Sequence, residues 1–197
     1  DLAVRECALG ALSFNGQRCT ALKILFVHES IADAFLARLS EAVGRLPVGP
    51  PWVDGVAVTP LAEPGKVAWL CELLEDAVSL GARVVNRRGG EAAETVLRPA
   101  IVHPVSADMR LWSEEQFGPV VPVAEYADVS EPLRWVRESD YGQQVSVFGR
   151  DPEAWWQVDL GQERDISRCE LFLEFPTKSY HYRIEHSTDG QHADRAA

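Results

Sequence analysis

An alternation between helix-like and strand-like segments runs through residues 1 to about 150 and constrains the fold more than any other feature. Apolar residues at helical spacing predict helices at 2–12, 30–46, 64–80 and 130–138. Short apolar runs between turn signals predict strands at 22–28, 82–86, 95–103, 120–126 and 144–149. Alternating strands and helices build a sheet that helices cover. The sequence therefore predicts an α/β fold.

Local signals place the ends and the inward faces of the two central helices. Ser30 is a good N-cap residue for the first of them. The residues expected to face the core of this helix are Ile31, Phe35, Leu39 and Val43. In the second helix the predicted apolar face consists of Val67, Leu70, Leu74, Ala77 and Val78. Gly81 should end this helix, and Pro99 should place the strand at 95–103 at a sheet edge or a bulge.

The pattern changes after Gly149. Residues 155–190 carry short strand-like runs with turn signals between them and no helical spacing. We therefore predict a junction near residues 150–154, with one domain at 1–150 and a short all-β segment at 151–197.

Charge and cysteine spacing exclude several classes of function. A net charge of −11 argues against nucleic-acid binding and against binding to anionic membranes. No apolar run is long enough to span a bilayer, and no signal peptide is recognisable. The cysteines at 7, 19, 71 and 169 and the scattered histidines match no metal-site spacing, so we expect no metal. Reduced thiols suit a cytoplasmic protein.

Cys19 is the candidate nucleophile on chemical grounds. It follows a predicted helix in a tight polar loop, beside Arg18, whose positive charge favours the thiolate. Gly16 gives that loop the freedom to approach a ligand closely. On these features alone a structural cysteine on a loop is the favoured interpretation, because a free cysteine usually acts as a small apolar residue.

Three segments in chain order resemble motifs of the aldehyde dehydrogenase superfamily. GALSFNGQRCTA (10–21) resembles the segment with the nucleophilic cysteine, SEEQFGPVVPV (113–123) the E-E-x-F-G-P segment, and YGQQVSVFGRD (141–151) the later Y-G-L-x-x-x-V-F segment. Arg18 and the block ADMRLWSEEQFGP (107–119) resemble the non-phosphorylating, NADP-dependent glyceraldehyde-3-phosphate dehydrogenases. The resemblance implies a three-layer catalytic-domain sheet with helices on both faces.

The same resemblance implies roles for individual residues. Cys19 would attack the aldehyde carbonyl to give a thiohemiacetal, hydride would pass to NADP or NAD, and a thioester would remain for hydrolysis. Arg18 would contact the substrate phosphate, and Thr20 would also bind substrate. Glu115 would bind the nicotinamide ribose, and Phe117 would contact the nicotinamide region.

Other parts of the family's apparatus have no match in these residues. The cofactor domain, the general-base glutamate of an E-L-G-G segment and the oxyanion asparagine would all precede residue 1. We therefore expect little dehydrogenase turnover from the 197-residue chain alone. Full-length family members are expected to be homo-oligomers, and this expectation does not extend to the present chain.

The C-terminal segment resembles a different family. WWQVDLGQERDISRCELFLEF (155–175) and YHYRIEHSTDG (180–190) resemble part of a discoidin-like (factor 5/8 C-type) β-sandwich. We expect Trp155 and Trp156 to pack inside that sandwich rather than to stack on sugars.

The main hypothesis for the whole chain is an oxidoreductase acting on a small aldehyde. The alternatives are a carbohydrate- or surface-binding protein that uses the C-terminal module, and a chain whose two parts never act together.

Overall fold

The computed structural model describes residues 1–141 and 145–149, and two short strands at 185–186 and 194–195. By its internal contacts the chain divides into two compact units, Asp1–Phe148 and Gly149–Ala197. The predicted all-β run at 155–175, including Trp155 and Trp156, lies outside the described residues. In the second unit the described strands Glu185–His186 and Asp194–Arg195 pair antiparallel.

The first unit contains helices and strands in alternation. Its helices are α1 (Leu2–Leu12), α2 (Ala32–Gly44), α3 (Lys66–Ser79), α4 (Arg110–Ser113) and α5 (Ser130–Glu138). Its strands are β1 (Leu25–His28), β2 (Arg83–Val84), β3 (Ala92–Ala93), β4 (Val96–Leu97), β5 (Ala100–His103) and β6 (Val120–Tyr126). The main sheet has the order β1-β6-β5-β2, in which β6 runs parallel to both β1 and β5, and β2 is antiparallel to β5.

Helices cover both faces of this sheet. One core packs α1 and α2 against Ile101, Val121 and Val123, and the other packs α3 against the intervening strand residues Val102 and Val120. Successive side chains of a strand point to opposite faces, so each central strand supplies both cores. This arrangement confirms the predicted α/β fold with helices on both faces.

The second and third helices follow the predicted pattern with two exceptions. A 3₁₀ turn at Glu29–Ile31 precedes α2. Ser30 lies inside this turn and is not a cap. The His28 side chain caps the turn, because it accepts a hydrogen bond from the Ser30 N–H. Ile31 is consequently outside α2 and exposed. In α3, Leu73 is buried and Val78 is half exposed, because Val78 lies at the edge of the apolar stripe. Gly81, with φ +102°, ends α3 as predicted.

Two of the predicted strands differ from the structure in more than the position of their ends. The segment 95–103 is broken at Pro99, so that β4 pairs with β3 in a small hairpin and β5 alone enters the main sheet. Residues 145–149 form no strand and are exposed, which contradicts the predicted strand at 144–149. A strand needs a neighbour to pair its backbone N–H and C=O groups, and no described segment pairs with 145–149.

In the described part of the chain, every helix is too short or too polar to cross a membrane.

Candidate functional site

The loop that carries Cys19 begins with an unusual turn at the end of α1. Phe14, Asn15 and Gly16 all have left-handed backbone angles, with φ of 53°, 58° and 69°. Asparagine and glycine adopt this region more readily than other residues, so the Asn15-Gly16 pair makes the turn possible. After this turn the chain returns to α1, where the Leu22 N–H donates to the Gly10 carbonyl oxygen at 3.2 Å.

Asn15 fixes this turn to a distant loop. Its side chain is buried and donates from Nδ2 to Thr59 Oγ1 at 2.9 Å, while its Oδ1 accepts from the Thr59 N–H at 2.9 Å. Both hydrogen bonds span 44 positions in sequence. The loop before Cys19 therefore has one conformation that tertiary structure maintains.

Gly16 brings the Cys19 loop against a second segment, residues 115–118. A Cβ at Gly16 would lie 2.5 Å from the Gly118 carbonyl oxygen and 2.7 Å from that of Ala11. Gly118 has equally little space, because a Cβ there would lie 2.6 Å from Leu70 Cδ1. The two predicted motifs are thus packed backbone to backbone at glycines.

Arg18 lies beside Cys19 and is held by uncharged partners. Its Nη1 donates to Ser13 Oγ at 2.9 Å, and its Nη2 donates to Thr20 Oγ1 at 3.0 Å. The guanidinium also lies 6.0 Å from the centroid of the exposed Phe14 ring. No carboxylate among the described residues pairs with Arg18. Two uncharged side chains therefore position this cation.

The described cysteines differ in exposure. Cys19 is exposed, Cys7 is buried in the core between α1 and α2, and Cys71 on α3 is half-buried. Burial, reinforced by Glu6, raises the pKa of the Cys7 thiol to about 11. Burial and then Glu75 raise the pKa of Cys71. A thiolate is the nucleophilic form, so Cys7 and Cys71 are poorly suited to attack a substrate.

Residues 115–117 line a small cleft of about 10 Å³, which has room for about one water molecule. Glu115 is exposed, Gln116 is buried, and Phe117 is half-buried with a left-handed φ of 37°. The residues that line this cleft are Gly16, Ala21, Leu22, Lys23, Glu115, Gln116 and Phe117. The structure therefore brings the loop after Cys19 together with the predicted cofactor-binding residues Glu115 and Phe117.

Gln116 connects the two segments that line the cleft, residues 21–23 and residues 115–117. Its Nε2 donates to the carbonyl oxygens of Leu22, Lys23 and Val120 at 3.2, 3.0 and 3.2 Å. Its Oε1 is buried and has no hydrogen-bond partner among the described residues. The amide thus connects the start of β1 to the start of β6 directly below the cleft.

Charged groups surround Glu115. Lys23 and Lys66 both act electrostatically on its carboxylate, and Lys66 Nζ lies 5.8 Å from the centroid of the Phe117 ring. Glu114 is engaged elsewhere, because Arg110 binds it through two hydrogen bonds of 2.8 and 2.9 Å. The hydrogen bond from Arg110 lowers the pKa of Glu114. Of the two neighbouring glutamates, Glu115 is therefore the one free to contact a ligand.

The sequence predicts Cys19, Arg18, Thr20, Glu115 and Phe117 as site residues, but it does not indicate which residues hold them in place. Gln116 and Lys23 lay inside or near the motifs, but nothing in the sequence marks which polar side chain is buried. Asn15 was visible as half of an Asn-Gly turn signal, although its partner Thr59 was not.

Comparison with protein families gives a match over most of the chain. The model of the aldehyde dehydrogenase family matches residues 1–161. Salicylaldehyde dehydrogenase of Pseudomonas putida is 37% identical over 152 residues, which are 77% of this chain and 31% of that protein. NADP-dependent glyceraldehyde-3-phosphate dehydrogenase of Streptococcus equinus is 38% identical over 151 residues, which are 75% of this chain and 30% of that protein.

Solved structures show the same similarity. A salicylaldehyde dehydrogenase from Pseudomonas putida G7, complexed with salicylaldehyde, aligns with a TM-score of 0.71 at 37% identity, over 76% of this chain and 31% of that one. An NADP-dependent glyceraldehyde-3-phosphate dehydrogenase from Bacillus halodurans C-125, complexed with NADP, aligns with a TM-score of 0.67 at 36% identity, over 71% and 29%. The chain spans about a third of the length of the curated relatives it matches.

Proposed function

The chain belongs to the aldehyde dehydrogenase family, and we propose that it supplies the nucleophilic thiol of an enzyme that oxidises an aldehyde to an acid with NADP or NAD. One observation carries the proposal. The exposed Cys19 follows a turn that is packed against the segment of Glu115 and Phe117, whereas the other described cysteines have raised pKa values.

The chemistry assigned to Cys19 is covalent. Its thiolate Sγ forms a bond to the aldehyde carbonyl carbon, and the carbonyl oxygen becomes an oxyanion. Backbone N–H groups of the loop can stabilise that charge, a contribution of about 3–4 kcal/mol in comparable sites. When bound, the nicotinamide accepts the hydride that the thiohemiacetal carbon loses. Water then cleaves the resulting thioester to release the acid and restore the thiol.

Glu115 and Phe117 suit the nicotinamide end of the cofactor. A carboxylate accepts hydrogen bonds from ribose hydroxyls, and a half-buried aromatic ring packs well against another flat ring. Glu115 is exposed and Phe117 is half-buried, so each presents some surface to a ligand. In this assignment the two residues orient the cofactor.

For the substrate we propose an aldehyde that carries a phosphate, such as glyceraldehyde 3-phosphate. The support is Arg18, whose guanidinium is positioned by Ser13 and Thr20 and pairs with no carboxylate among the described residues. A planar guanidinium matches phosphate oxygens in geometry and charge. Thr20 contributes by fixing the Arg18 fork. The competing class is aromatic aldehydes, because relatives named as salicylaldehyde dehydrogenases are about equally similar to the chain.

We also propose a cytoplasmic location and a partial discoidin-like module after residue 150. The free thiols of Cys7, Cys19 and Cys71 support a reducing compartment. The module rests on its W-x-Q-V-D-L-G and Y-x-I-x-x-S-T-D-G patterns, and the family match to residue 161 overlaps its first residues.

Acylation by p-nitrophenyl acetate tests the nucleophile without any cofactor. Thiolate attack on the ester forms a thioacetyl group and releases nitrophenolate, which is measured as a burst. Peptide mass spectrometry of the 197-residue chain should place the acetyl group on Cys19. Cys19→Ala should abolish the burst, and Cys71→Ala should leave it unchanged. A burst that survives in Cys19→Ala, with acetyl on another cysteine, would remove the basis of the proposal.

The substrate class is tested in a chimera that supplies the rest of the enzyme. Residues 1–150 replace the matching third of the Streptococcus equinus enzyme, and circular dichroism and NADP binding check its folding. Arg18→Met should raise KM for glyceraldehyde 3-phosphate by about 10–100-fold, since a charge-assisted hydrogen bond contributes roughly 1.5–3 kcal/mol. KM for glyceraldehyde, which lacks the phosphate, should stay within about threefold of its value in the unsubstituted chimera. As a control, substitution of the exposed Arg83 (Arg83→Met) should change neither of the two KM values. Equal effects on both substrates would contradict the assignment of Arg18.

A further inference from the structure

The pair Asn15-Gly16 has a reactivity that the proposed reaction does not use. When glycine follows asparagine, the backbone nitrogen of the glycine can attack the side-chain Cγ of the asparagine and close a five-membered imide ring. Glycine favours this closure because no side chain shields its nitrogen or restricts the backbone rotation that brings the two atoms together. The chain contains two asparagines, and only Asn15 precedes a glycine, since Arg87 follows Asn86.

The fold holds Asn15 in a geometry from which this ring does not close. Asn15 has a backbone ψ of 22°, which places its Cβ on the far side of the Cα–C bond from the Gly16 nitrogen. The ring requires these two atoms to eclipse each other, so the backbone must rotate first. The two hydrogen bonds of 2.9 Å between the Asn15 side chain and Thr59, here called the Thr59 clamp, oppose that rotation. Asn15 and Gly16 are also buried, which limits their contact with water.

We propose that Asn15 is a latent deamidation site, which the Thr59 clamp keeps closed and which reacts when the clamp opens. Solvent hydroxide removes the proton of the Gly16 N–H, and the nitrogen forms a bond to Asn15 Cγ. The C–N bond of the side-chain amide breaks, and its nitrogen leaves as ammonia after it gains a proton from water. A water molecule then hydrolyses the imide at either carbonyl group, which gives aspartate or isoaspartate at position 15.

Deamidation disrupts the turn that positions Cys19, and the consequence for catalysis rests on the proposed function. Isoaspartate routes the main chain through Cβ and Cγ, so the backbone before Gly16 lengthens by one carbon atom. Gly16 has little room to shift, because a Cβ there would already lie 2.5 Å from the Gly118 carbonyl oxygen. The reaction also creates a carboxylate at a buried position, where a charge is costly. We therefore expect the acylation burst of Cys19 to fall in proportion to the deamidated fraction of the chain.

The rate of deamidation in the folded chain tests the clamp directly. The chain and a synthetic peptide of residues 10–21 are incubated in the same mildly alkaline buffer. Peptide mass spectrometry follows the exchange of the amide NH₂ for OH, and an enzymatic assay detects isoaspartate. We expect Asn15 to react about 10–100-fold more slowly in the chain than in the peptide, because two hydrogen bonds shift a local opening equilibrium by about that factor. Asn86, whose side chain bonds to the backbone of Pro99 and Ile101, should stay unmodified as an internal control.

Matched variants separate the clamp from the rest of the fold. Thr59→Val keeps the shape of the side chain but removes the hydroxyl that accepts from Asn15 Nδ2, so Asn15 should react about tenfold faster than in the unsubstituted chain. Thr95→Val, at an exposed threonine, should leave the rate unchanged, and urea unfolding checks the folding of both variants. The comparison between chain and peptide needs no variant, so it decides even where Thr59→Val does not fold. Equal rates in the folded chain and the peptide, or an unchanged rate in folded Thr59→Val, would overturn the proposal.

The effect on Cys19 is measured separately, on samples of the chain that have been deamidated to different extents. A burst that falls with the deamidated fraction supports the link between the Asn15 turn and the nucleophile, and a burst that stays constant contradicts it. A chain that deamidates as expected but shows no burst at any stage counts against the proposed function and leaves the clamp supported.

Discussion

At the scale of single residues, the close approach at Gly16 makes a sharp prediction. Gly16→Ala and Gly55→Ala both place a side chain at a left-handed φ, +69° and +80° respectively, which costs about 1–2 kcal/mol in each. Only Gly16 lacks space, because its new Cβ would meet two carbonyl oxygens, whereas Gly55 has nothing within 4 Å. Gly16→Ala should therefore lose about 1–3 kcal/mol more stability than Gly55→Ala, as overpacking does elsewhere.

Urea unfolding of both glycine variants measures this difference, and the acylation burst measures its effect on Cys19. We expect the burst to slow in Gly16→Ala and to keep its rate in Gly55→Ala, because only the former separates the Cys19 loop from residues 115–118. Equal stabilities of the two variants would show that the loop moves without penalty, and would contradict the tight packing of Gly16 against Gly118.

What the sequence could predict at this scale was chemistry rather than partners. Cys19, Arg18 and Glu115 are predicted from residue type and motif resemblance, and their roles stay predictions. The bond between Asn15 and Thr59 spans 44 positions, and no local pattern encodes it. The cap at His28 also escaped prediction. Ser30 has the higher N-cap propensity, but it lies inside the 3₁₀ turn, two positions after His28, which caps the turn.

At the scale of elements, Gln116 connects β1 with β6 and its removal should loosen that pair. Gln116→Met keeps the length of the side chain but removes a donor that serves three carbonyl oxygens. We expect a loss of about 2–3 kcal/mol, because carbonyl groups that were satisfied become buried without a partner. The substitution also removes Oε1, which has no hydrogen-bond partner among the described residues. The expected loss of stability is therefore smaller than for a buried amide whose oxygen also accepts a hydrogen bond.

The exposed neighbour supplies the control for this prediction. Glu115→Gln lies one position away on the surface and should change the free energy of unfolding by less than about 0.5 kcal/mol. Chemical denaturation of the two variants compares them directly. A Gln116→Met variant as stable as Glu115→Gln would mean that the amide does not hold the strands in register.

Elements were predicted well where the pattern of one segment was sufficient. The bounds of β6 and α5 match the predicted 120–126 and 130–138, because both combine a clear apolar period with turn residues at each end. Strand β2 is shorter than predicted, and beyond it the Asn86 side chain takes over the pairing by hydrogen bonds to Pro99 and Ile101. The absent strand at 145–149 shows the limit, since a strand depends on its neighbour as well as on its own residues.

At the scale of the whole molecule, Lys23 should make stability depend on pH. Its pKa of about 8 in the folded chain lies below the usual value of about 10.4, so the unfolded chain binds more protons between these values. Stability relative to Lys23→Met should therefore rise with pH from about 8 to 10, by at most about 3 kcal/mol, and should be flat below pH 7. The raised pKa of Cys7 acts in the opposite direction in this range, but it is present in both proteins and cancels in the comparison.

Thermal or urea unfolding of the two proteins between pH 6 and pH 10 provides the measurement. A stability difference that stays constant with pH would show that the amine is as well solvated in the folded chain as in the unfolded one.

The whole chain should separate acylation from turnover. It spans about a third of its relatives, and its 197 residues contain neither a G-x-G-x-x-G segment to bind a dinucleotide nor an E-L-G-G glutamate to activate water. We therefore expect one nitrophenolate released per chain followed by a very slow steady state, and no formation of NADPH with glyceraldehyde 3-phosphate. In the chimera, where the relative supplies those parts, both hydride transfer and thioester hydrolysis should return and should again be lost in Cys19→Ala. Sustained NADPH formation by the 197-residue chain alone would mean that its own residues complete the site.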